Sequence, residues 1–359
     1  MINLETKRAP GGNRISRKEA RQRDRAQLRM ILQKSDPWHL IRRRVGEVVV
    51  SLLRYALLIA LGYLILTPIL RMVSTAFKHP GELGSPVSIW IPAEFSMEHI
   101  VMALRTLNYK RTLPYTLLTV SIQVMLQIGS AMLAGYSFAR MKFKGRGVLF
   151  ACVILTIVVP AQAISLPQYL NFRYFDFFGI IEAVTGQPLN LLGKQMGLYL
   201  LAATGQGLKG GLYIYIFRQG FRALPKELEE SAFVDGCGYI RTFFRIVLPN
   251  SFSSILTVTV LSFVWNWNDM YFVNLFGGTQ DNMMVRFNSA TASMDEAMNT
   301  IVRGLGDAGT NFELLIDNPL YQQAVADTMS LFVMLPLIVA YLLIQNKFVQ
   351  SAERSGIVG

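Results

Sequence analysis

The chain has 359 residues, of which 52% are hydrophobic and 16% are charged, and its mean hydropathy is +0.35. This composition excludes a water-soluble domain of ordinary make-up and indicates a membrane protein. The two cysteines and three histidines show no spacing typical of a disulfide framework or a metal site, so we expect no bound metal.

The N-terminal segment, residues 1–46, carries most of the net charge of +12. Residues 1–45 contain thirteen Lys and Arg against four acidic side chains, a local charge of +9. A basic stretch directly before a long apolar run is typical of a cytoplasmic membrane anchor, with nucleic-acid binding as the minority alternative. We therefore predict a cytosolic basic arm that lies on anionic lipid or on a partner, and no nucleic-acid partner.

Runs of about twenty apolar residues predict six transmembrane helices. They cover residues 48–73, 115–138, 148–170, 191–217, 255–276 and 325–344. If both termini are cytoplasmic, the cytoplasmic segments hold 24 of the 35 Lys and Arg, which fixes the orientation. The loop 222–249 then faces the cytoplasm, and residues 279–324 form a loop on the outer side.

Two polar elements within the spans are candidates for a transport path. The fourth run is broken by TGQGLKGG, and polar sequence at membrane depth is tolerated where it lines a cavity or is buried in protein. Close helix packing is the alternative for its glycines. In the fifth run, aromatic rings alternate with amides, which suits a sugar, whereas an aromatic belt with ordinary packing is the alternative. The candidate path residues are Gln206, Lys209, Trp265, Asn266, Trp267, Asn268 and Asp269.

The stretch KELEESAFVDGCGYIRTFFRIVLP, residues 226–249, predicts two short amphipathic helices. Carboxylates in the first turns favour the positive end of the first helix. Gly236 and Gly238 end that helix, and Leu248-Pro249 ends the second. On physical grounds alone, a hairpin that only caps the bundle is an equal alternative.

The order and spacing of Glu230-Ser231-Ala232, Gly236, Ile246 and Leu248-Pro249 resemble the EAA loop of ABC importer permeases, with Ser231 replacing the first alanine. LAGYSFARMKFKGRG, VVPAQAISLPQYL and SFVWNWND resemble further signatures of that family, and the tail NKFVQSAERSGIVG resembles the end of its maltose-type, carbohydrate-transporting members. The resemblance covers residues 47–278 and 325–359. It departs in the basic N-terminal segment and in residues 277–324.

This resemblance implies an all-α membrane protein with six transmembrane helices and a cytoplasmic coupling-helix pair, the type I importer permease fold. It implies the following domains: the arm 1–46, the permease core 47–278 with the coupling loop 222–249, the outer loop 279–324, and the last span with its tail, 325–359. The residues that it implies for coupling to an ATPase are Glu229, Glu230, Ser231, Ala232, Phe233, Asp235, Gly236, Ile246, Leu248 and Pro249.

The resemblance also implies a permease subunit of a binding-protein-dependent importer for an oligosaccharide, in a prokaryotic inner or plasma membrane. Its partners would be a second permease, two ATP-binding subunits and an extracytoplasmic solute-binding protein. The chain itself would be no enzyme and would bind no cofactor, with ATP and magnesium on the ATPase subunits. GQPLNLLGK lacks the glycine spacing and the Ser/Thr of a phosphate-binding loop. The alternative function is an ion-coupled secondary transporter, which predicts an internal repeat that the hydropathy pattern does not show.

Overall fold

The computed structural model describes residues 37–85, 90–277, 281–305 and 315–356. Within these ranges the chain is helical, and its extended backbone pairs only in isolated bridges, which confirms the predicted all-α class. The helices are α1 (Pro37–Ala76), α2 (Glu98–Thr106), α3 (Tyr109–Arg140), α4 (Arg146–Val158), α5 (Ser165–Arg173), α6 (Ile180–Thr185), α7 (Gln195–Ala203), α8 (Gly210–Ala223), α9 (Glu227–Val234), α10 (Tyr239–Thr242), α11 (Leu248–Asn250), α12 (Phe252–Trp267), α13 (Met283–Ala292), α14 (Met294–Leu305) and α15 (Pro319–Gly356).

The chain divides into two compact units, Met1–Pro68 and Ile69–Gly359. The predicted basic arm lies outside the described residues as far as residue 36. The first unit includes α1 as far as Pro68, and helices α2 to α15 belong to the second unit. The domain boundaries expected from the sequence stay predictions.

Three helical segments in the described ranges are long and apolar enough to cross a membrane: Val45–Ala76, Tyr109–Arg140 and Pro319–Lys347. Counting each of two bent helix pairs as one span would raise that number to five: one pair lies in the third predicted span, and the other joins Tyr239–Asn250 of the predicted cytoplasmic loop to Phe252–Trp267 of the fifth. The third span bends after Val159, whose extended backbone (φ −69°, ψ 121°) is the conformation that a following proline favours. The fourth predicted span consists of α7 and α8 with a break between them, and the count of six spans stays a prediction.

Helices α3 and α8 lie in direct backbone contact. A β-carbon at Gly135 would lie 2.6 Å from Phe217 Cβ and 3.0 Å from the backbone nitrogen of Arg218. Around this contact, the rings of Phe217, Phe221 and Tyr136 are buried in one hydrophobic cluster. The two helices therefore pack as one body.

The regions predicted as outer loops contain packed helices. Met102 on α2, Met283 on α13 and Met298 on α14 are buried in one cluster with Trp267 and Tyr321. These helices were not predicted from the sequence, although their buried residues recur at helical spacing. These segments thus share a hydrophobic core with residues of the predicted spans, such as Trp267.

One of the three histidines, His99, packs against Tyr321 of this cluster. Its ring centroid is 5.1 Å from that of Tyr321 and its side chain is fully buried, which lowers the His99 pKa to about 4. Among the described residues, no group of three or more His, Cys, Asp and Glu side chains forms a possible metal site. His99 is therefore a neutral packing residue near pH 7.

Candidate functional site

The end of α9 is fixed by its backbone. Gly236 adopts φ +79°, the left-handed conformation that glycine reaches without steric cost. The Cys237 N–H donates to the carbonyl of Ala232 (2.9 Å), and the Gly236 N–H donates to that of Phe233 (3.1 Å). This pair of hydrogen bonds is a Schellman cap, so α9 ends at the glycine that the sequence indicated.

The predicted coupling residues lie on two different faces of α9. Glu229 and Ala232 are buried against the rest of the protein. In contrast, Glu230, Phe233 and Asp235 are exposed, as is Ser231 in the place of the family alanine. The first group therefore holds the helix, and only the second is accessible to a partner in this structure.

Glu229 is held by an ion pair. Its Oε1 lies 2.8 Å from the Arg140 Nε, and the two side chains are 11% and 10% exposed. The Tyr136 hydroxyl donates to Glu229 Oε2 (3.2 Å), and Arg140 Nη2 donates to the carbonyl of Leu224 (2.7 Å). Neither Arg140 nor Tyr136 was predicted as a partner of Glu229, although both belong to the LAGYSFAR stretch that resembles a family signature.

The second helix of the loop does not end at Leu248-Pro249, where the sequence predicted it to end. A π-helical turn, Phe243–Val247, precedes α11, and the Leu248 N–H donates to the carbonyl of Phe243. This wider turn accommodates Pro249, which lacks a backbone donor and would break a regular α-helix. The chain bends by 76° at Ser251 and continues as α12, so the loop is joined directly to the fifth predicted span.

Large apolar side chains are exposed beside the carboxylates of this loop. Val234 is 88% exposed and Ile240 is 77% exposed. The ring of Phe233 packs edge-on against that of Tyr239 at 5.0 Å, which braces α9 against α10. Exposed apolar patches with a polar rim are typical of protein–protein contact sites. We call this surface the coupling patch, and it consists of Glu230, Phe233, Val234, Asp235, Tyr239, Ile240 and Phe244.

Four of the predicted path residues, Gln206, Lys209, Trp265 and Asn268, are exposed, and we call these four the exposed group. The Lys209 ammonium lies 4.8 Å from the ring centroid of Trp265, which is 43% exposed. Gln206 and Asn268 are also exposed. Lys209 itself has φ 60° and caps the start of α8. The structure thus brings the break of the fourth predicted span against the fifth, as a cation–π contact.

The other predicted path residues face the protein interior. The Asn266 amide donates to Gln127 Oε1 (2.8 Å), and Trp267 Nε1 donates to the carbonyl of Val333 (3.2 Å). Asp269 is buried and accepts a hydrogen bond from the backbone N–H of Phe272. These three side chains make internal hydrogen bonds and do not belong to the exposed group.

Gln127 on α3 joins the buried polar residues to the break. Ser262 and Asn266 both donate to Gln127 Oε1, and Gln127 Nε2 donates to the carbonyl of Leu208 (3.4 Å). Gln127 was not among the path residues predicted from the sequence. Its signal was an amide within a long apolar run, and such polar residues normally face a partner inside the bundle.

The glycines of the break serve close packing. A β-carbon at Gly207 would collide with the Gln127 side chain, and one at Gly211 would lie 2.9 Å from the carbonyl oxygen of Val153. Gly193, by contrast, has open space around it. The packing alternative therefore accounts for Gly207 and Gly211, whereas Gly205 in the same break adopts φ +76°.

The chain is similar to known proteins over most of its length. The profile of the family described as "Binding-protein-dependent transport system inner membrane component" matches residues 127–354, more than half of the chain. The alpha-glucoside transport system permease protein AglG of Rhizobium meliloti is 31% identical over 62% of this chain and 53% of its own length. The osmoprotective compounds uptake permease protein GgtD of Synechocystis sp. is 34% identical over 46% of this chain and 50% of its own length.

More distant matches agree with these. The diacetylchitobiose uptake system permease protein DasC of Streptomyces coelicolor is 27% identical over 56% of this chain and 67% of its own length. A solved chain of a bacterial ABC transporter involved in the import of the acidic polysaccharide alginate aligns with a TM-score of 0.61. At 18% identity, over 84% of this chain and 98% of that chain, it shows a shared fold. This chain spans about half the length of the first two relatives. From the profile match, the chain belongs to the family of binding-protein-dependent transport system inner membrane components.

Proposed function

We propose that this chain is the permease subunit of an ATP-driven, binding-protein-dependent importer, and that its 222–249 loop seats on a separate ATPase subunit. The coupling patch is the observation that carries the proposal. It presents exposed apolar and acidic side chains on a helix whose end is fixed at Gly236. A surface of this kind supports contact with another protein through both packing and charge complementarity.

The partners follow from the same proposal. A second permease completes the pore, two ATP-binding subunits hold ATP and magnesium, and an extracytoplasmic solute-binding protein delivers the substrate. This chain contributes no ATP hydrolysis. The family description supports a binding-protein partner and a membrane location, and the distribution of Lys and Arg supports cytoplasmic termini in a multi-pass membrane protein.

Carbohydrate is the substrate class that we propose. The names of relatives, which transport alpha-glucoside and diacetylchitobiose, support it. The exposed group at the break offers an aromatic ring in Trp265 and hydrogen-bonding side chains in Gln206 and Asn268. Sugars use both kinds of contact, because their C–H faces stack on rings while their hydroxyls need donors and acceptors.

Reconstitution tests the function. The chain is purified with the subunits that assemble with it and placed in proteoliposomes, and uptake of radiolabelled α-glucosides and chitobiose is measured. We expect uptake to require ATP on the side of the coupling patch and a solute-binding protein on the other side, and to persist when ionophores collapse ion gradients. Uptake that follows an ion gradient and survives ATP depletion would instead establish the secondary-transporter alternative.

A further inference from the structure

We propose that Arg140 is a positioning residue for energy coupling, and that it clamps α9 to the ends of α3 and α8 so that the three move as one body. The inference rests on the proposed function, since it assigns the route by which a push on the coupling patch reaches the spans. It concerns a residue that faces the protein and not the ATPase.

The clamp joins three elements through one side chain. Arg140 is the last residue of α3, its Nε pairs with Glu229 on α9, and its Nη2 donates to the carbonyl of Leu224 directly after α8. Tyr136, one turn earlier on α3, donates to the second oxygen of the same carboxylate. Two residues of α3 therefore hold both oxygens of Glu229.

The chemistry of the clamp requires arginine. A planar guanidinium donates in several fixed directions at once, whereas a lysine ammonium is a single charge on a flexible stem. The two charged side chains are about nine-tenths buried, so their partners are fixed and little screened by water. A lysine at this position would keep the charge but would not hold Glu229 and Leu224 together.

Helix α3 carries the displacement from the clamp towards the broken span. Arg140 and Gln127 are 13 residues apart on this helix, which corresponds to about 20 Å. Between them, Ser130 donates to the carbonyl of Ala202 (2.8 Å), and Gly135 lies in backbone contact with α8. At the far end, Gln127 donates to the carbonyl of Leu208 in the break. A shift of α9 would thereby reach the exposed Lys209 and Trp265 through one rigid helix.

The test uses the full reconstituted complex and measures uptake and ATP hydrolysis in the same vesicles. The variants are Arg140→Gln, Glu229→Gln, Arg140→Lys and the double variant Arg140→Gln/Glu229→Gln. For each single glutamine variant, we expect solute transported per ATP to fall about tenfold, while ATP hydrolysis stays within about twofold of wild type. Arg140→Lys should give an intermediate ratio, and the double variant should be no worse than the worse single variant, because the two side chains form one interaction.

The control variant is Glu182→Gln, which neutralises an exposed carboxylate on α6, and it should transport like wild type. Transport per ATP within about twofold of wild type in both single variants would overturn the clamp, as would effects of the two changes that multiply in the double variant. Loss of the assembled complex together with both activities would show a merely structural role. If the single glutamine variants do not assemble, transport per ATP is compared between the double variant, which leaves no unpaired buried charge, and Arg140→Lys. A reduced ratio in both supports the clamp, and a wild-type ratio in both overturns it. Absence of ATP-dependent uptake by the wild-type complex would refute the proposed function and not the clamp.

Discussion

Gly236 shapes the coupling loop through its backbone and not through its contacts. A β-carbon there would meet no atom within 4 Å, yet φ is +79°. Gly238, two residues later, also has open space but an extended backbone (φ −75°, ψ 164°). Because neither position is crowded, a comparison of substitutions at these two glycines isolates the effect of backbone strain.

Replacing Gly236 by alanine should destabilise the loop by about 1–2 kcal/mol, because an L side chain is strained in the left-handed region. Gly236→Asn should cost less, since asparagine tolerates that region better. Hydrogen exchange of the α9 amides, measured alongside uptake, checks this order. Gly238→Ala is the matched control, and an equal effect of Gly238→Ala and Gly236→Ala would argue against backbone strain as the cause.

For the candidate path residues, the sequence predicted the kind of side chain present more reliably than the direction in which each side chain points. Lys209 and Trp265, which the sequence indicated separately as candidates for a transport path, are in contact. Trp267 has the same chemistry as Trp265 but is buried and bonded to the carbonyl of Val333. Two residues along a helix change the face, and only the position of the neighbouring helices decides which face is exposed.

Helices α3 and α8 make the most extensive helix–helix contact among the described residues. It has its closest approach at Gly135, where α8 leaves no room for a β-carbon. Gly129 lies on the same helix, but a β-carbon there would meet no neighbouring atom within 4 Å. The two glycines of α3 therefore offer a direct comparison between a crowded and an open position.

Gly135→Ala should destabilise the purified protein by about 1–3 kcal/mol, because the added methyl overpacks the contact. Gly129→Ala should be neutral or stabilising by up to about 1 kcal/mol, because alanine favours the helix. Thermal unfolding in detergent measures both changes. A destabilised Gly129→Ala with an unaffected Gly135→Ala would contradict the packing described here.

Elements were predictable where a local signal was strong. The end of α9 at Gly236 was predicted from its glycine. The bend at Pro160 was not predicted, although the residue before a proline favours an extended backbone. The π turn before Pro249 was not predicted either, because an irregular turn that relieves a proline has no pattern in the sequence. The helix α14 had a signal, with Met294, Met298 and Val302 four residues apart, but it lay inside a segment that polarity indicated to be a loop.

At the scale of the whole molecule, the hydrophobic pattern and the loop motif predicted the class and the family, and the packing of helices decided which residues connect to which. The ion pair of Arg140 and Glu229 joins residues 89 positions apart in the chain, so no local pattern shows it. Helix α9 has one face bonded to the spans and one exposed face, and we propose that the exposed face seats on an ATPase. Reversing a charge on the exposed face of α9 tests the proposed ATPase contact without changing the face that is bonded to the spans.

The proposed contact between the exposed face of α9 and an ATPase is tested most directly by uptake and ATP hydrolysis of reconstituted complexes that carry Glu230→Lys. Glu230 is exposed on the coupling patch, so the change should leave the fold intact while it opposes docking of a complementary partner. The matched control is Glu182→Lys on the exposed side of α6, which should transport like wild type. We expect Glu230→Lys to reduce uptake about tenfold or more, with the ATPase either detached or hydrolysing ATP without transport. Uptake at the wild-type rate with the ATPase still bound would contradict the assignment of this loop to energy coupling.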